Sequence, residues 1–278
     1  MTEKTKKRIT RVISSLILFP LVAVTFIFAN NLIMDVFVAI IAIIATYEFY
    51  NCFRITNKAK PMEWIGYLMC IALVFMHTVE KRLAYELLIG MIPLSFLLAY
   101  LDMAVSRGKK NFMDILVTVG GVLYIPFMMF FITELRAYEN NGRVLIWYVI
   151  AASWASDICA YTVGTSRFGK HKFSKISPNK TIEGTIAGFV GAIGTALLFT
   201  FFINKYMSLE ISYMSVSWAV GILCAIGQIG DFFASSIKRY CGVKDFSELI
   251  PGHGGMLDRI DSIVFMLPYA FAILKLLV

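Results

Sequence analysis

Residues 249–278 read LIPGHGGMLDRIDSIVFMLPYAFAILKLLV. The opening is crowded with a histidine, three glycines, two aspartates and an arginine. From Ile263 onward the only charged residue is Lys275. An apolar run of this kind approaches the roughly 20 residues that a helix needs to cross a bilayer. Similar runs recur along the chain, and they are continuous rather than alternating. In lipid the backbone must satisfy its own hydrogen bonds, so continuous apolar runs are helices and not barrel strands.

The composition agrees. Of 278 residues, 59% are hydrophobic and 16% charged, and the mean hydropathy is +0.74. Soluble domains carry about a quarter charged residues, so the chain reads as an all-α polytopic membrane protein. Nine candidate spans emerge, at 12–29, 32–51, 64–78, 84–105, 113–133, 144–166, 182–204, 213–236 and 260–277. They make one integral membrane domain over 1–278. Residues 1–110 supply N-terminal helices, and 111–278 supply catalytic helices with polar loops at 167–181 and 237–259. The first run resembles a signal peptide, but no small-residue cleavage site precedes the second, so it reads as an uncleaved anchor. The five cysteines (Cys52, Cys70, Cys159, Cys224, Cys241) show no C-x-x-C spacing, which argues against a disulfide framework or a zinc site.

Basic residues set the expected orientation. With the N-terminus cytoplasmic, the inside segments hold Lys4, Lys6, Lys7, Arg8 and Arg11, then Arg54, Lys58 and Lys60, then Arg107, Lys109 and Lys110. The two richest loops add Arg167, Lys170, Lys172, Lys175 and Lys180, and Lys238, Arg239, Lys244 and Arg259. Only Lys81, Arg82, Arg136, Arg143, Lys205 and Lys275 fall elsewhere. Positive residues concentrate on the cytoplasmic side of membrane proteins, so nine spans place the C-terminus outside. The net charge of +8 is then a topology signal and an attraction to anionic lipid, not a sign of nucleic acid.

Unusual polar residues gather near the same two loops. Asp157 lies in SWASDICAYTVG and Asp231 in AIGQIGDFFASSIKRY. An aspartate at a helix centre costs about 2.5–3.5 kcal/mol on insertion scales, so it faces protein or water. Gln228, Asp231, Ser235 and Lys238 form one helical stripe, and Ser153, Asp157 and Tyr161 form another. Interhelical hydrogen bonding is the plain alternative for Ser153 and Gln228. Gly184 and Gly188, followed by Gly191 and Gly194, read as close helix packing within or between subunits.

The opening stretch asks for more than structure. Pro251 stops the preceding segment, and Gly252, Gly254 and Gly255 permit a tight turn with exposed amides. Asp258 and Asp261 share one face of the helix that follows. One acidic residue there is explained by the helix dipole, but not the whole set with His253 and Arg259 beside it. Two carboxylates with Asp231 suit a hard divalent cation such as Mg²⁺, and Lys238, Arg239, Lys244 and Arg259 suit phosphate. The spans starting near 182 and 260 would both aim positive dipole ends at the cytoplasm. KISPNKTIEGT supplies Asn179 or Thr181 as a cap and Lys175 and Lys180 as candidate phosphate ligands.

These residues resemble a known signature. SSIKRYCGVKDFSELIPGHGGMLDRIDS (235–262) is similar to that of phosphatidate cytidylyltransferases, or CDP-diacylglycerol synthases. It matches at Ser235, Lys238, Arg239, Lys244, Asp245, His253, Gly254, Gly255, Asp258, Arg259 and Asp261. The resemblance extends more loosely to SDICAYTVGTSRFGKHKFSKISPNKTIEG. It implies transfer of the cytidylyl group of CTP to phosphatidate, giving CDP-diacylglycerol and pyrophosphate for phospholipid synthesis. It also implies a homodimer in a bacterial cell membrane, with the active site facing the cytoplasm.

On that reading Asp231, Lys238, Arg239, Asp258 and Arg259 are catalytic. Lys175, Asn179, Lys180, Ser235, Lys244, His253, Gly254 and Gly255 bind substrate. Asp231, Asp258, Asp261 and Asp157 serve Mg²⁺, with a second metal ion left open. A phosphate monoester is largely ionised at neutral pH, so no general base is required. A CTP-dependent lipid kinase of the dolichol or phytol type is the nearer alternative, and a membrane transporter the farther one.

Overall fold

The computed structural model describes residues 16, 20–138, 141–172, 177, 180–207 and 209–277. Among these residues every regular element is a helix, and extended pairing is confined to the isolated bridges Lys172–Thr181 and Ile250–Gly254. After helical residues 20–28 come α1 (Asn31–Ile55), α2 (Glu63–Ala72), α3 (Lys81–Val105), α4 (Phe112–Val122) and α5 (Met128–Arg136). They are followed by α6 (Gly142–Gly164), α7 (Ile182–Met207), α8 (Tyr213–Tyr240) and α9 (Leu257–Leu274). Among the described residues six helical stretches are long and apolar enough to cross a membrane: α1, α3, the joined α4–α5, α6, α7 and α8.

The other three expected runs, 12–29, 64–78 and 260–277, are not among these six. The 64–78 run forms only a ten-residue α2 and a 3₁₀ turn over Leu73–Thr78. The 260–277 run becomes α9, whose first turns carry Asp258, Arg259 and Asp261. Part of the 12–29 run lies outside the described residues. The coarse reading holds: this is an all-helical integral membrane protein.

Helix ends follow the side chains at them. Asn30 caps α1 by accepting from Ile33 N at 2.8 Å, and Asn111 with Asp114 forms a reciprocal capping box at α4. Pro126 has no N–H to give, and the backbone there loosens into a π turn over Leu123–Phe127 that joins α4 to α5.

The chain divides into two compact units. One comprises the residues up to Thr133 together with Lys238–Ile260; the other comprises Glu134–Ile237 with the residues from Asp261 onward. The sequence reading had drawn its division at 110/111.

The first unit is organised around Tyr50. Its ring is fully buried, and its hydroxyl donates to Thr118 O at 2.7 Å. Glycines on two neighbouring helices make room for it: a Cβ at Gly66 would stand 2.5 Å from Tyr50 Cε2, and one at Gly121 would strike the same ring. Thr118 Oγ1 also accepts from Met62 N at 2.8 Å, and Asp114 Oδ1 from Lys60 N at 2.6 Å, so α4 anchors the connection into α2.

In the second unit α7 lies against α6 through its small residues. A Cβ at Gly184 would come within 2.8 Å of Ala160 O, and one at Gly188 within 2.8 Å of Ser156 Oγ. Gly191 faces Cys159 Sγ in the same way, whereas Gly194 faces open space. The G-x-x-x-G therefore packs within the chain, as close backbone approach in lipid favours.

Filling the Tyr50 niche tests this packing. Gly121→Ala is expected to destabilise the protein by about 1–3 kcal/mol through overpacking. Tyr50→Phe is expected to cost about 0.5–1.5 kcal/mol, the worth of one buried hydrogen bond. Thermal unfolding of the detergent-purified protein measures both.

Candidate active site

Within the second unit, α6, α8 and α9 enclose a cavity of about 20 Å³ lined by Ser153, Ser156, Asp157, Cys224, Gly227, Gln228, Asp231, Ser262 and Met266. That volume holds about one water molecule. The helices approach closely because α8 lacks side chains where α9 crosses: a Cβ at Gly227 would lie 2.7 Å from Met266 Sδ, and one at Gly230 2.7 Å from Phe265 Cβ. Ser153 and Ser262 hydrogen-bond at 3.0 Å, and Gln228 Nε2 donates to Thr185 O at 3.2 Å. The periodic polar residues of two spans thus meet at one place. Tyr161, on the same helical stripe as Asp157, is 73% exposed and is not among the lining residues.

Asp231 is paired with Lys180, which also lies over the Phe232 ring with Nζ 4.1 Å from its centroid. Lys180 stands just before α7, so the loop named as a phosphate candidate reaches the Asp231 carboxylate. Asp261 is buried, and its Oδ1 accepts from Ser262 N at 2.8 Å. Lys175 and Asn179 lie outside the described residues.

In the first unit the signature loop closes on Asp258. Its Oδ1 accepts from Lys238 Nζ at 2.6 Å; its Oδ2 accepts from Phe246 N at 2.9 Å and Gly255 N at 3.0 Å. The Asp258 side chain is 2% exposed and that of Lys238 10%. Gly254 takes φ +86°, a conformation that disfavours side chains. Its amide donates to Ile250 O at 3.2 Å, and its carbonyl accepts from Ile250 N at 2.8 Å.

Other signature residues surround this knot. Arg239 Nη1 donates to Val243 O at 3.1 Å, and its side chain is exposed. Lys244, Asp245 and Arg259 are exposed, while His253 and Ser235 are half-buried. The His253 amide donates to Ile250 O at 2.9 Å, which bends the loop back on itself.

The donor chemistry bears on a metal ion. Among the described residues no group of three or more His, Cys, Asp or Glu side chains is arranged to hold one. The cavity of the second unit nevertheless offers two carboxylates, Asp157 and Asp231, with hydroxyl and amide oxygens. Mg²⁺ is commonly held by one or two carboxylates while substrate phosphate and water complete its shell, so these residues fit it. The lysine ammonium on Asp231 marks that carboxylate as one that takes a cation. Asp258 offers a different environment, with both oxygens already engaged by a lysine and two amides.

Sequence reasoning missed Glu48. It was legible as a carboxylate inside an apolar run, the feature that singled out Asp157 and Asp231, but 32–51 was read only as a span. Glu48 is buried and accepts hydrogen bonds from Ser247, Met256 and Leu257.

A buried Asp258–Lys238 pair, a part-exposed Asp231–Lys180 pair, a glycine-built turn and exposed basic residues, set between apolar helices, are the features of a membrane-embedded phosphate-handling protein. The Cytidylyltransferase family profile matches residues 9–277, and the chain belongs to that family. It is 31% identical to a phosphatidate cytidylyltransferase of Staphylococcus epidermidis, over 94% of this chain and 95% of the relative. Similar coverage holds at 32% identity for the Staphylococcus aureus protein of that description and at 31% for that of Staphylococcus haemolyticus.

The closed Asp258 knot makes a local prediction. Asp258→Asn turns an amide against either the lysine or the two backbone donors, and breaking a buried ion pair costs about 3–5 kcal/mol. Hydrogen exchange at the Phe246 and Gly255 amides should accelerate, while exchange in α4 stays as it is.

Proposed function

We propose that this protein transfers the cytidylyl group of CTP to phosphatidate, forming CDP-diacylglycerol and releasing pyrophosphate. The observation that carries the reading is similarity to phosphatidate cytidylyltransferases along nearly the whole chain. The lipid-kinase and transporter alternatives are not favoured, since these relatives are named phosphatidate cytidylyltransferases.

The phosphatidate phosphate is the nucleophile and attacks the α-phosphorus of CTP. One P–O bond forms there as the bond to the β-phosphate oxygen breaks, and pyrophosphate leaves with that electron pair. A dianionic phosphate needs no proton removed, so the residues must neutralise charge and hold the reactants in line. Lys238, Arg239, Lys244 and Arg259 supply cations to the triphosphate and the lipid headgroup, with the arginines offering a planar fork. Asp258 holds Lys238 and the Gly255 amide in place. His253, Gly254 and Ser235 complete the phosphate contacts with hydrogen-bond donors.

Asp231 and Asp157 are proposed to hold Mg²⁺, which would stabilise charge on the phosphate oxygens; of the other two carboxylates expected as ligands, Asp258 is engaged by Lys238 and two amides and Asp261 by the Ser262 amide. Lys180 then leaves Asp231 for a substrate phosphate. Lys175 and Asn179 are assigned to the same substrate by the signature resemblance.

The finer topology is also a proposal. Nine spans with a cytoplasmic N-terminus put the 167–181 and 237–259 loops, and hence the chemistry, on the cytoplasmic side, where CTP is made. Two copies are proposed to form a homodimer. A single cysteine at position 244 is expected to label only from the cytoplasmic face, and labelling from outside would overturn the orientation.

The reaction is tested by incubating purified protein with labelled CTP, phosphatidate and Mg²⁺ and identifying both products. CDP-diacylglycerol with pyrophosphate is expected; CDP with a phosphorylated lipid would select the kinase. Asp231→Asn is expected to lower turnover by about a hundredfold or more while leaving insertion intact, and Asp245→Asn to be milder. Near-normal turnover of Asp231→Asn across a magnesium titration would show the metal assignment to be misplaced.

A further inference from the structure

Helix α1 carries a carboxylate where an apolar span has no packing need for one. Glu48 is 1% exposed, and an acidic group buried in a membrane helix is costly to insert unless it is fully engaged. Its hydrogen bonds all arrive from the signature loop. Oε1 accepts from Ser247 Oγ at 2.5 Å and from Met256 N at 2.9 Å, and Oε2 accepts from Leu257 N at 2.7 Å. Leu257 opens α9, so these amides belong to a helix start, where N–H groups have no intrahelical acceptor. The carboxylate serves as a capping group borrowed from a helix 208 residues away in sequence.

Glu48 comes so close that only glycine fits beside it. A Cβ on Gly255 would stand 2.7 Å from Glu48 Oε2 and 2.8 Å from both Oε1 and Cδ. The Gly255 amide donates to Asp258. Two carboxylates therefore grip adjacent peptide units of one turn: Asp258 takes Gly255, and Glu48 takes Met256 and Leu257. Asp258 in turn holds Lys238.

We propose that Glu48 is a positioning residue for cytidylyl transfer: it clamps the start of α9 and sets the glycine turn that presents Lys238, Asp258 and the loop amides to phosphate. The role rests on the functional reading given above. Glu48 touches neither substrate nor reacting atoms and acts through Gly255, Met256 and Leu257.

Glu48→Gln preserves size, but its NH₂ group faces a backbone donor whichever way the amide turns: Met256 N, with Ser247 beside it, or Leu257 N. Supporting groups of this kind typically cost about 10–100-fold in activity when altered. Turnover of Glu48→Gln should fall within that range, with kcat falling more than KM for CTP rises. Exchange at the Met256 and Leu257 amides should accelerate, while Gly66–Cys70 exchange stays as in the unaltered protein.

Gly255→Ala gives a second arm. Alone it should lose activity by driving a methyl into the carboxylate. Combined with Glu48→Asp, which draws the carboxylate back, it should recover several-fold, a coupling that independent defects do not show. If Glu48→Gln does not accumulate in the membrane, Glu48→Asp carries the same kinetic and exchange measurements. Unaltered exchange at Met256 and Leu257, unaltered kcat, or simple additivity in the double variant would each overturn the proposal. Exchange is measured without substrate, so absence of cytidylyl transfer by the unaltered protein would instead overturn the functional reading.

Discussion

The ion pair between Lys238 and Asp258 is 2.6 Å long and nearly closed to solvent. Taking both charges out of water is costly, and the loss is offset only when every remaining acceptor is engaged. Here the engagement is complete on the carboxylate side, because the amides of Phe246 and Gly255 occupy its second oxygen. One side chain thus fixes the end of α8, the start of the loop and the glycine turn. Truncating either partner would strand the other, so the geometry of the loop is all-or-none rather than adjustable.

Elsewhere the chain solves the same problem differently. Asp231 is part-exposed and meets Lys180, which arrives from a loop and not from a packed helix. A part-exposed lysine whose ammonium meets one carboxylate and an aromatic face can exchange that carboxylate for a phosphate with less desolvation cost than a buried one. The buried pair builds the loop; the open pair is the one an anionic ligand can reach. The proposed transfer asks for this division, because a lipid phosphate that brings its own charge leaves the protein to neutralise and align.

The membrane class was legible from hydropathy alone, because long apolar runs have one structural solution in lipid. The count of spans was less so. Hydropathy places the last span at 260–277, while the α9 helix begins at Leu257 and draws Asp258 and Arg259 into the same element. Helical spacing correctly brought Gln228 and Asp231 to the cavity that Ser153 and Asp157 line, since both stripes are local properties of single helices. It also put Tyr161 on the Asp157 stripe, where that side chain is exposed, and it missed Glu48, whose partners lie about two hundred residues away. No local pattern records which distant turn a carboxylate will cap. Gly255 was named for permitting a turn, but its role is also steric, as the place where Glu48 approaches.

The central claim is that charge neutralisation and alignment drive transfer from CTP to phosphatidate with no covalent enzyme intermediate. CTP bearing sulfur at the α-phosphorus in one configuration tests this directly. A single in-line displacement inverts the configuration in the CDP-diacylglycerol product, and inversion is the predicted result. Net retention, or cytidylyl label trapped on His253, would contradict the account by showing two successive displacements through the enzyme.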